Sequence, residues 1–450
     1  MGPFCTCLEA LARIKTGTMK WTLRGSRPER ASVTRSNLVR QHALGFTQST
    51  WFKTLLRVAD PRSVPAAILA CICTTALNAQ PTSALTNATA LWANPPWSDP
   101  KFFPIAVWLQ IPKNAARYQK AGINTYIGLW MGPTEDQLSA LKQAGMYVIC
   151  EQNEVSLRHL SDRTILGWMT RDEPDNAQSR GARLGWSSPI PPEKVVEEYN
   201  TMKTGDPSRP VFLNLGQGVA WDDWYGRGSR THHPEDYPNY AAGADIVSFD
   251  IYPATHSSKA VSGNLGYVAR GVERLVQWTE GKKRVWNCIE AARIENEDRK
   301  PTPQEIRCEV WMSLIHGSRG LIYFVHQFKP RFIEASLLED AELLAAVTSL
   351  NQQVTELAPV LNSPTVRDAA TVKTKSIDVP VAIVVKRLDG VTYVFAVAMR
   401  KDDTPARFTI KGLKDEQSIE VLGEKRSLKP MDGSFTDHFG PWEVHLYRFR

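Results

Sequence analysis

Apolar positions from 103 to 357 follow two rhythms in turn. Short runs alternate with period two, which suits strands, and longer stretches repeat every three or four residues, which suits helices. The first run, 103–109, puts Ile105, Val107 and Leu109 on one side and Ala106 and Trp108 on the other. Further strands are expected over 123–130, 146–151, 164–173, 210–215, 244–252, 284–290 and 320–326. Helices are expected between them over 113–121, 134–144, 193–203, 265–280 and 302–316, with a last one over 339–357. A short segment, 156–161, replaces a full third helix. Gly122 and Gly145 stop the first two helices, and Pro303 sits near the first turn of the helix over 302–316. Two long loops follow the fourth and fifth strands and are rich in Gly and Pro or in Gly, Asp and aromatics.

Eight strands alternating with helices over about 250 residues have the size and order of a (β/α)8 TIM barrel. A doubly wound open sheet is the runner-up, but the glycine fingerprint of its dinucleotide-binding form is missing after the first strand. From 362 onward strands dominate. Runs at 381–388 and 391–399 flank Asp389 and Gly390, a hairpin turn signal, and runs at 418–422 and 442–449 complete a small all-β domain of β-sandwich type. The expected organisation is a leader at 1–79, a linker at 80–101, the barrel at 102–360 and the β-sandwich at 361–450.

Charge changes the picture only at the N-terminus. The formal charge is +7, yet residues 1–79 hold 11 Lys/Arg against 3 Asp/Glu, and the remainder is near neutral. No basic stripe marks the body, so no nucleic-acid partner is expected. Lys53, Arg57 and Arg62 precede an apolar run at 64–77 and small residues around Ala79, the order of a secretory signal. A secreted or periplasmic protein is expected, with no stable membrane span once the signal is removed, because the run is too short to span. Residues 68–71 faintly resemble a lipoprotein cleavage box, and 87–89 match a glycosylation sequon. Of seven cysteines, Cys5, Cys7, Cys71 and Cys73 fall in the leader, which leaves Cys150, Cys288 and Cys308 without a disulfide framework or zinc spacing. The histidines are dispersed, and the adjacent His232 and His233 read as a solvated pair. No cofactor or metal is expected, and the oligomeric state is left open.

The chemistry gathers where strands end. The fourth strand runs into Asp172, Glu173 and Asp175 and is stopped by Pro174. Strand parity puts Glu173 on a face with Arg171, Met169 and Gly167. On the sixth strand Ser248, Asp250 and Tyr252 share a face; on the seventh Glu290 shares one with Cys288 and Trp286. Asn214 ends the fifth strand and His326 the eighth. Trp108 and Trp130 suit pocket walls, whereas Trp221, Trp224 and Tyr225 either line subsites or pack on one another. Asp250 either binds sugar hydroxyls or pairs with Arg171, and Glu151 ends the third strand as a lesser carboxylate candidate. Two carboxylates on opposite walls suit glycosidic cleavage: one protonates the leaving oxygen while the other attacks the sugar carbon.

The residues 168–174, 249–253, 286–291 and 320–326 occur in an order that resembles the clan A retaining glycoside hydrolases. That resemblance implies a barrel with catalytic glutamates after strands four and seven. Glu173 would be the acid/base, Glu290 the nucleophile and Tyr252 a hydrogen-bond donor to it. An oligosaccharide or polysaccharide substrate follows. The chain departs from the clan pattern in carrying Asp172 where many members have Asn, and His326, Gln327 and Phe328 where many have a Trp platform. Two alternatives stand beside it: a non-catalytic carbohydrate-binding protein on the same scaffold, and a different barrel hydrolase using Asp172 and Asp250 with a metal.

Overall fold

The computed structural model describes Trp92 and residues 96–181 and 184–450. The leader at 1–79, its four cysteines, its apolar run and the sequon at 87–89 lie outside the described residues. Eight strands form the inner layer: β1 (Ile105–Trp108), β2 (Thr125–Ile127), β3 (Tyr147–Cys150), β4 (Ile165–Met169), β5 (Val211–Leu215), β6 (Ile246–Phe249), β7 in two pieces (Arg284–Val285 and Asn287–Glu290) and β8 (Leu321–Phe324). All pair in parallel with their chain neighbours, and β8 returns to β1. The sheet is therefore a closed (β/α)8 barrel, with β7 pairing to β6 through its first piece and to β8 through its second.

Helices α1 (Ala115–Lys120), α2 (Glu135–Gln143), α3 (Glu154–Arg158), α4 (Pro192–Gly205), α5 (Tyr237–Ala242), α6 (Gly266–Trp278), α7 (Pro303–His316) and α8 (Ala341–Glu356) follow their strands in order. The expected short third helix is α3. Helix α5 lies between the fifth and sixth strands, where no helix is expected. Thr134, Asn153 and Thr302 start α2, α3 and α7 with reciprocal capping boxes, which satisfies amide groups that a helix start leaves free. Side chains alternate as the sequence implies. Ala106 and Trp108 join Ile127, Ile149, Phe212, Trp286, Cys288 and Ile322 inside the barrel. Ile105 and Val107 join Tyr126, Val148, Ile289 and Tyr323 under the helices.

Trp92 and Trp97, in the stretch expected as a linker, pack beneath the barrel. Their ring centroids lie 5.3 Å apart, Trp97 sits 6.3 Å from Trp286, and Trp97 Nε1 donates to the Leu166 carbonyl at 3.2 Å. Arg284 covers both rings at about 5 Å, so the lower end of the barrel is plugged by aromatic surface rather than open.

The C-terminal region is the expected β-sandwich. One sheet orders β9 (Ala370–Thr374), β12 (Thr404–Ile410) and β15 (Ser434–Phe439). The other orders β10 (Val381–Leu388), β11 (Val391–Ala398), β16 (Val444–Phe449), β13 (Ile419–Val421) and β14 (Arg426–Leu428). Phe408 and Phe435 of the first meet Tyr447 of the second at 5.3 and 4.9 Å. Asp389 and Gly390 both take positive φ, as a tight hairpin between right-twisted strands requires. Trp311 on α7 meets Phe395 on β11 at 5.0 Å, which seats the sandwich on the barrel.

Helix α6 lies close to β6 because Gly271 has no side chain: a Cβ there would sit 2.2 Å from the Phe249 ring. Gly271→Ala is expected to destabilise the fold by about 1–3 kcal/mol through overpacking. Denaturant unfolding should show a lower midpoint with an unchanged slope.

Candidate active site

Strand β4 ends at Met169, and the chain then turns instead of continuing its alternation. Glu173 adopts φ 43°, the left-handed region, which costs an L-residue about 1–2 kcal/mol. Its amide donates to the Asn214 carbonyl at 3.1 Å, which ties the turn to the end of β5. The turn corrects the parity expectation. Arg171 is exposed and donates through Nε to Glu198 on α4 at 2.8 Å, while Glu173 turns inward and is 8% exposed. Arg171 therefore joins neither Glu173 nor Asp250.

Strand β6 keeps its alternation past its end. Phe249 and Ile251 pack under the helices, and Ser248, Asp250 and Tyr252 face inward as expected. The Asp250 and Glu173 carboxyls face each other, an approach that binds only if the pair holds a proton. No other protein donor reaches Glu173 Oε1 or Asp250 Oδ1. Tyr252 OH donates to Asp250 Oδ2 at 3.2 Å. The resemblance implied donation to Glu290; the structure shows donation to Asp250.

Burial raises both acids. Glu173 is pushed well above the ordinary glutamate value, first by burial and then by the charges of Asp250 and Asp172. Asp250 is pushed up to about 8 by burial and by Asp172, against the donated hydrogen bonds of Glu173 and Tyr252. Two buried acids in contact titrate as a unit, and the pair holds at least one proton at neutral pH. Tyr252 donates to Asp250 while no donor reaches Glu173 Oε1, which favours Asp250 as the acceptor and Glu173 as the carrier of the shared proton. Asp172 accepts from Asn214 Nδ2 at 3.0 Å and is raised to about 6 by burial of its carboxyl and then by the charge of Asp175, against the Asn214 bond. The residue is nevertheless open to water, and Asp172 is ionised at neutral pH. Asn214 in turn accepts from Ser248 Oγ at 2.7 Å and from Cys288 Sγ at 3.8 Å, which fixes its amide orientation.

Asp175 is structural. Fully buried, it accepts from the Gly216 amide at 2.9 Å and from Tyr237 OH at 3.0 Å, pinning the loop after β4 to the loop after β5. Trp221 and Trp224 are buried in that second loop and pack on each other at 6.0 Å, and Trp224 Nε1 donates to Asn176 at 2.8 Å. Tyr225 alone of the three stays exposed, at 56%. Trp108 lines the barrel interior and Trp130 is half-buried at the end of the β2 segment. Glu151 is exposed beyond β3 and outside the carboxylate cluster. His326 is fully buried, with Nε2 3.0 Å from Gln110 Nε2, and Gln110 accepts from Tyr118 OH at 2.6 Å. Burial lowers its imidazole to about 4, so it is neutral at neutral pH.

Glu290 belongs to a different set of partners. Its Oε1 accepts from the Ala254 amide at 2.5 Å, and its Oε2 from the Thr255 amide at 2.9 Å and Thr255 Oγ1 at 2.6 Å. The carboxyl of Glu309 on α7 faces it with no donor to either oxygen, and Glu290 has no exposed surface. Burial raises Glu290 to about 7 while these donors oppose the shift; Glu309 is pushed well above the ordinary glutamate value by burial and then by the charge of Glu290. Sequence reasoning missed Thr255, Gln110 and Glu309. Glu309 left one signal, a lone carboxylate between Cys308 and Val310 in an otherwise apolar stretch of helix. Cys150, Cys288 and Cys308 are free and buried. Among the described residues no group of three His, Cys, Asp or Glu could hold a metal ion.

No protein-family model matches the chain, and no curated protein matches it. Solved structures that resemble it include AmyP bound to maltotriose, at 9% identity over 82% of this chain and 98% of that one, with a TM-score of 0.49. The α-amylase of Geobacillus thermoleovorans complexed with acarbose follows at 10% identity, over 78% and 98%, with a TM-score of 0.46. The glycoside hydrolase family 30 subfamily 8 xylanase of Clostridium acetobutylicum has 10% identity over 77% and 95%, with a TM-score of 0.42. At these identities no activity passes from those proteins to this chain, and its own residues must carry the function.

The raised carboxyls fix how stability varies with pH. A carboxyl whose folded pKa is raised holds a proton that the unfolded chain releases, so its contribution is greatest below the unfolded value and is lost as pH rises through the folded one. The thermal midpoint is therefore expected to fall between about pH 5 and the Asp250 value of about 8. Asp250→Asn should flatten that decline, and calorimetric midpoints across the range check it.

Proposed function

We propose that the protein is a glycoside hydrolase in which Glu173 delivers the proton to the leaving oxygen. The observation that carries this reading is the buried Glu173–Asp250 carboxyl pair, set on strand ends at the face where barrel enzymes work. A general acid must still hold its proton near neutral pH, and the pair supplies that condition. Asp250 acts by its charge and hydrogen bond, because two acids in contact are too close to flank a glycosidic bond, which needs about 5 Å or more between carboxyls. Half-buried Trp130 and exposed Tyr225 offer apolar faces on which sugar rings stack. The leader's basic, apolar, small order supports export, where an oligosaccharide or polysaccharide is met outside the cytoplasm.

In the retaining version Glu290 attacks the sugar carbon. Ala254, Thr255 and protonated Glu309 keep its carboxylate ionised, and substrate entry has to uncover it. One observation favours a second version: Glu290 has no exposed surface, whereas Asp172 is open to water beside Glu173. In that version Asp172 takes the proton of an attacking water and the anomeric configuration inverts.

Glu173→Gln is expected to lower kcat/KM by about 10²–10⁴-fold on natural glycosides. The loss should be far smaller on aryl glycosides with acidic leaving groups, which need no proton. A loss equal on both, or none on either, removes Glu173 as the acid. The configuration of the first product by proton NMR separates the two versions. Glu290→Ala supplies a second check: azide restores turnover only if Glu290 is the nucleophile.

A further inference from the structure

Resting on the reading of Glu173 and Asp250 above, we propose that Glu290 and Glu309 form a proton-sharing clamp that positions the Asp250–Tyr252 arm of the site. The arm runs off β6 into Pro253, Ala254 and Thr255. Three donors of this short segment end on one carboxylate: the Ala254 amide at 2.5 Å, the Thr255 amide at 2.9 Å and Thr255 Oγ1 at 2.6 Å. Glu290 is rigid at its own base, because it lies in register with Phe324 in the second piece of β7. Behind it stands Glu309, fully buried on α7, and no donor reaches either of its oxygens, whereas three end on Glu290.

Two carboxyls in contact repel unless one is protonated. The shared proton makes Glu309 the donor and leaves Glu290 an ionised acceptor for the loop. The charged groups that face Glu309 are Glu290 from β7 and Glu305 from its own helix, both acidic, with the Cys308 thiol beside it. No cation competes for Glu290's oxygens among the described residues. Helix α7 is itself fixed, since Asn287 Nδ2 donates to Ser313 Oγ at 2.8 Å and Trp311 packs on Phe395. The clamp thus links the outer helix to the residue that keeps Glu173 protonated: if the loop slackens, Asp250 withdraws and Glu173 loses its proton at lower pH.

The test compares Glu309→Leu, which removes the donor, with Glu309→Gln, whose amide still donates to Glu290. Hydrogen exchange of the Ala254 and Thr255 amides should quicken at least tenfold in the leucine variant and stay near wild type in the glutamine variant. The basic limb of kcat/KM, set by Glu173, should move down by about one pH unit in Glu309→Leu, a tenfold change in its proton affinity. It should not move in Glu309→Gln. Asp250→Asn combined with Glu309→Leu should shift that limb no further than Asp250→Asn alone. A merely structural role would quicken exchange alike in Glu309→Leu and Glu309→Gln and leave the limb in place, and that result overturns the inference. If Glu173→Gln keeps full activity, the reading of Glu173 fails on its own, and the clamp is judged by exchange. Unchanged exchange in a folded Glu309→Leu overturns it.

Discussion

Everything at the mouth depends on closing the ring of parallel strands, and the ring closes at β7. That strand hands its partnership over in mid-course. The amide of Trp286 still donates to Val247 of β6 at 2.9 Å, and that of Asn287 turns to the Gly320 carbonyl at 3.3 Å beside β8. The Trp286 ring fills the space opened by the change, 5.8 Å from Phe212. Gly320 permits it, because a Cβ there would lie 2.5 Å from the indole. A sheet without free edges needs no cover for unpaired amides, and its strand ends are held at fixed spacing around one opening.

Fixed strand ends allow a costly arrangement to persist. Glu173 and Asp250 are buried together where neither would stay in an unstructured chain, and Glu173 takes a backbone conformation that L-residues avoid. Strain and desolvation of this kind survive only when surrounding structure over-determines them. Here Asn214 does much of that. Its carbonyl holds the Glu173 amide, its side chain holds Asp172, and Ser248 holds its side chain. Asp175 adds a second anchor through Gly216 and Tyr237. The strain sits at one member of the buried carboxyl pair.

The β-sandwich has a mechanical part in this. Its β11 presses on α7 through Phe395 and Trp311, and the same helix turns Ser313 and Glu309 toward β7. Buried Lys386 on β10 donates to the Ser363 carbonyl at 2.7 Å, which ties the sandwich to the segment after α8. An outer helix of the barrel is thus packed on both sides, and it cannot drift from the strand it supports.

The sequence by itself determined the architecture. Period-two runs, helical stretches and glycine stops specified eight strands and a following sandwich, because burial on one face imposes a rhythm that a chain carries openly. It also brought Asp172, Glu173, Asp250, Asn214 and Tyr252 to strand ends that do converge. It did not decide which way residues beyond a strand's end would turn. Parity extended from Met169 put Arg171 inside, and a left-handed turn at Glu173 put it outside. Nor could spacing show that Tyr252 donates to Asp250, or that Glu290 is enclosed by a neighbouring loop and an outer helix. Those outcomes rest on contacts between residues far apart in the chain, and only closure of the barrel sets their distances. Which carboxyl keeps a proton depends on how many donors and charges surround it in space, a quantity that no stretch of sequence contains.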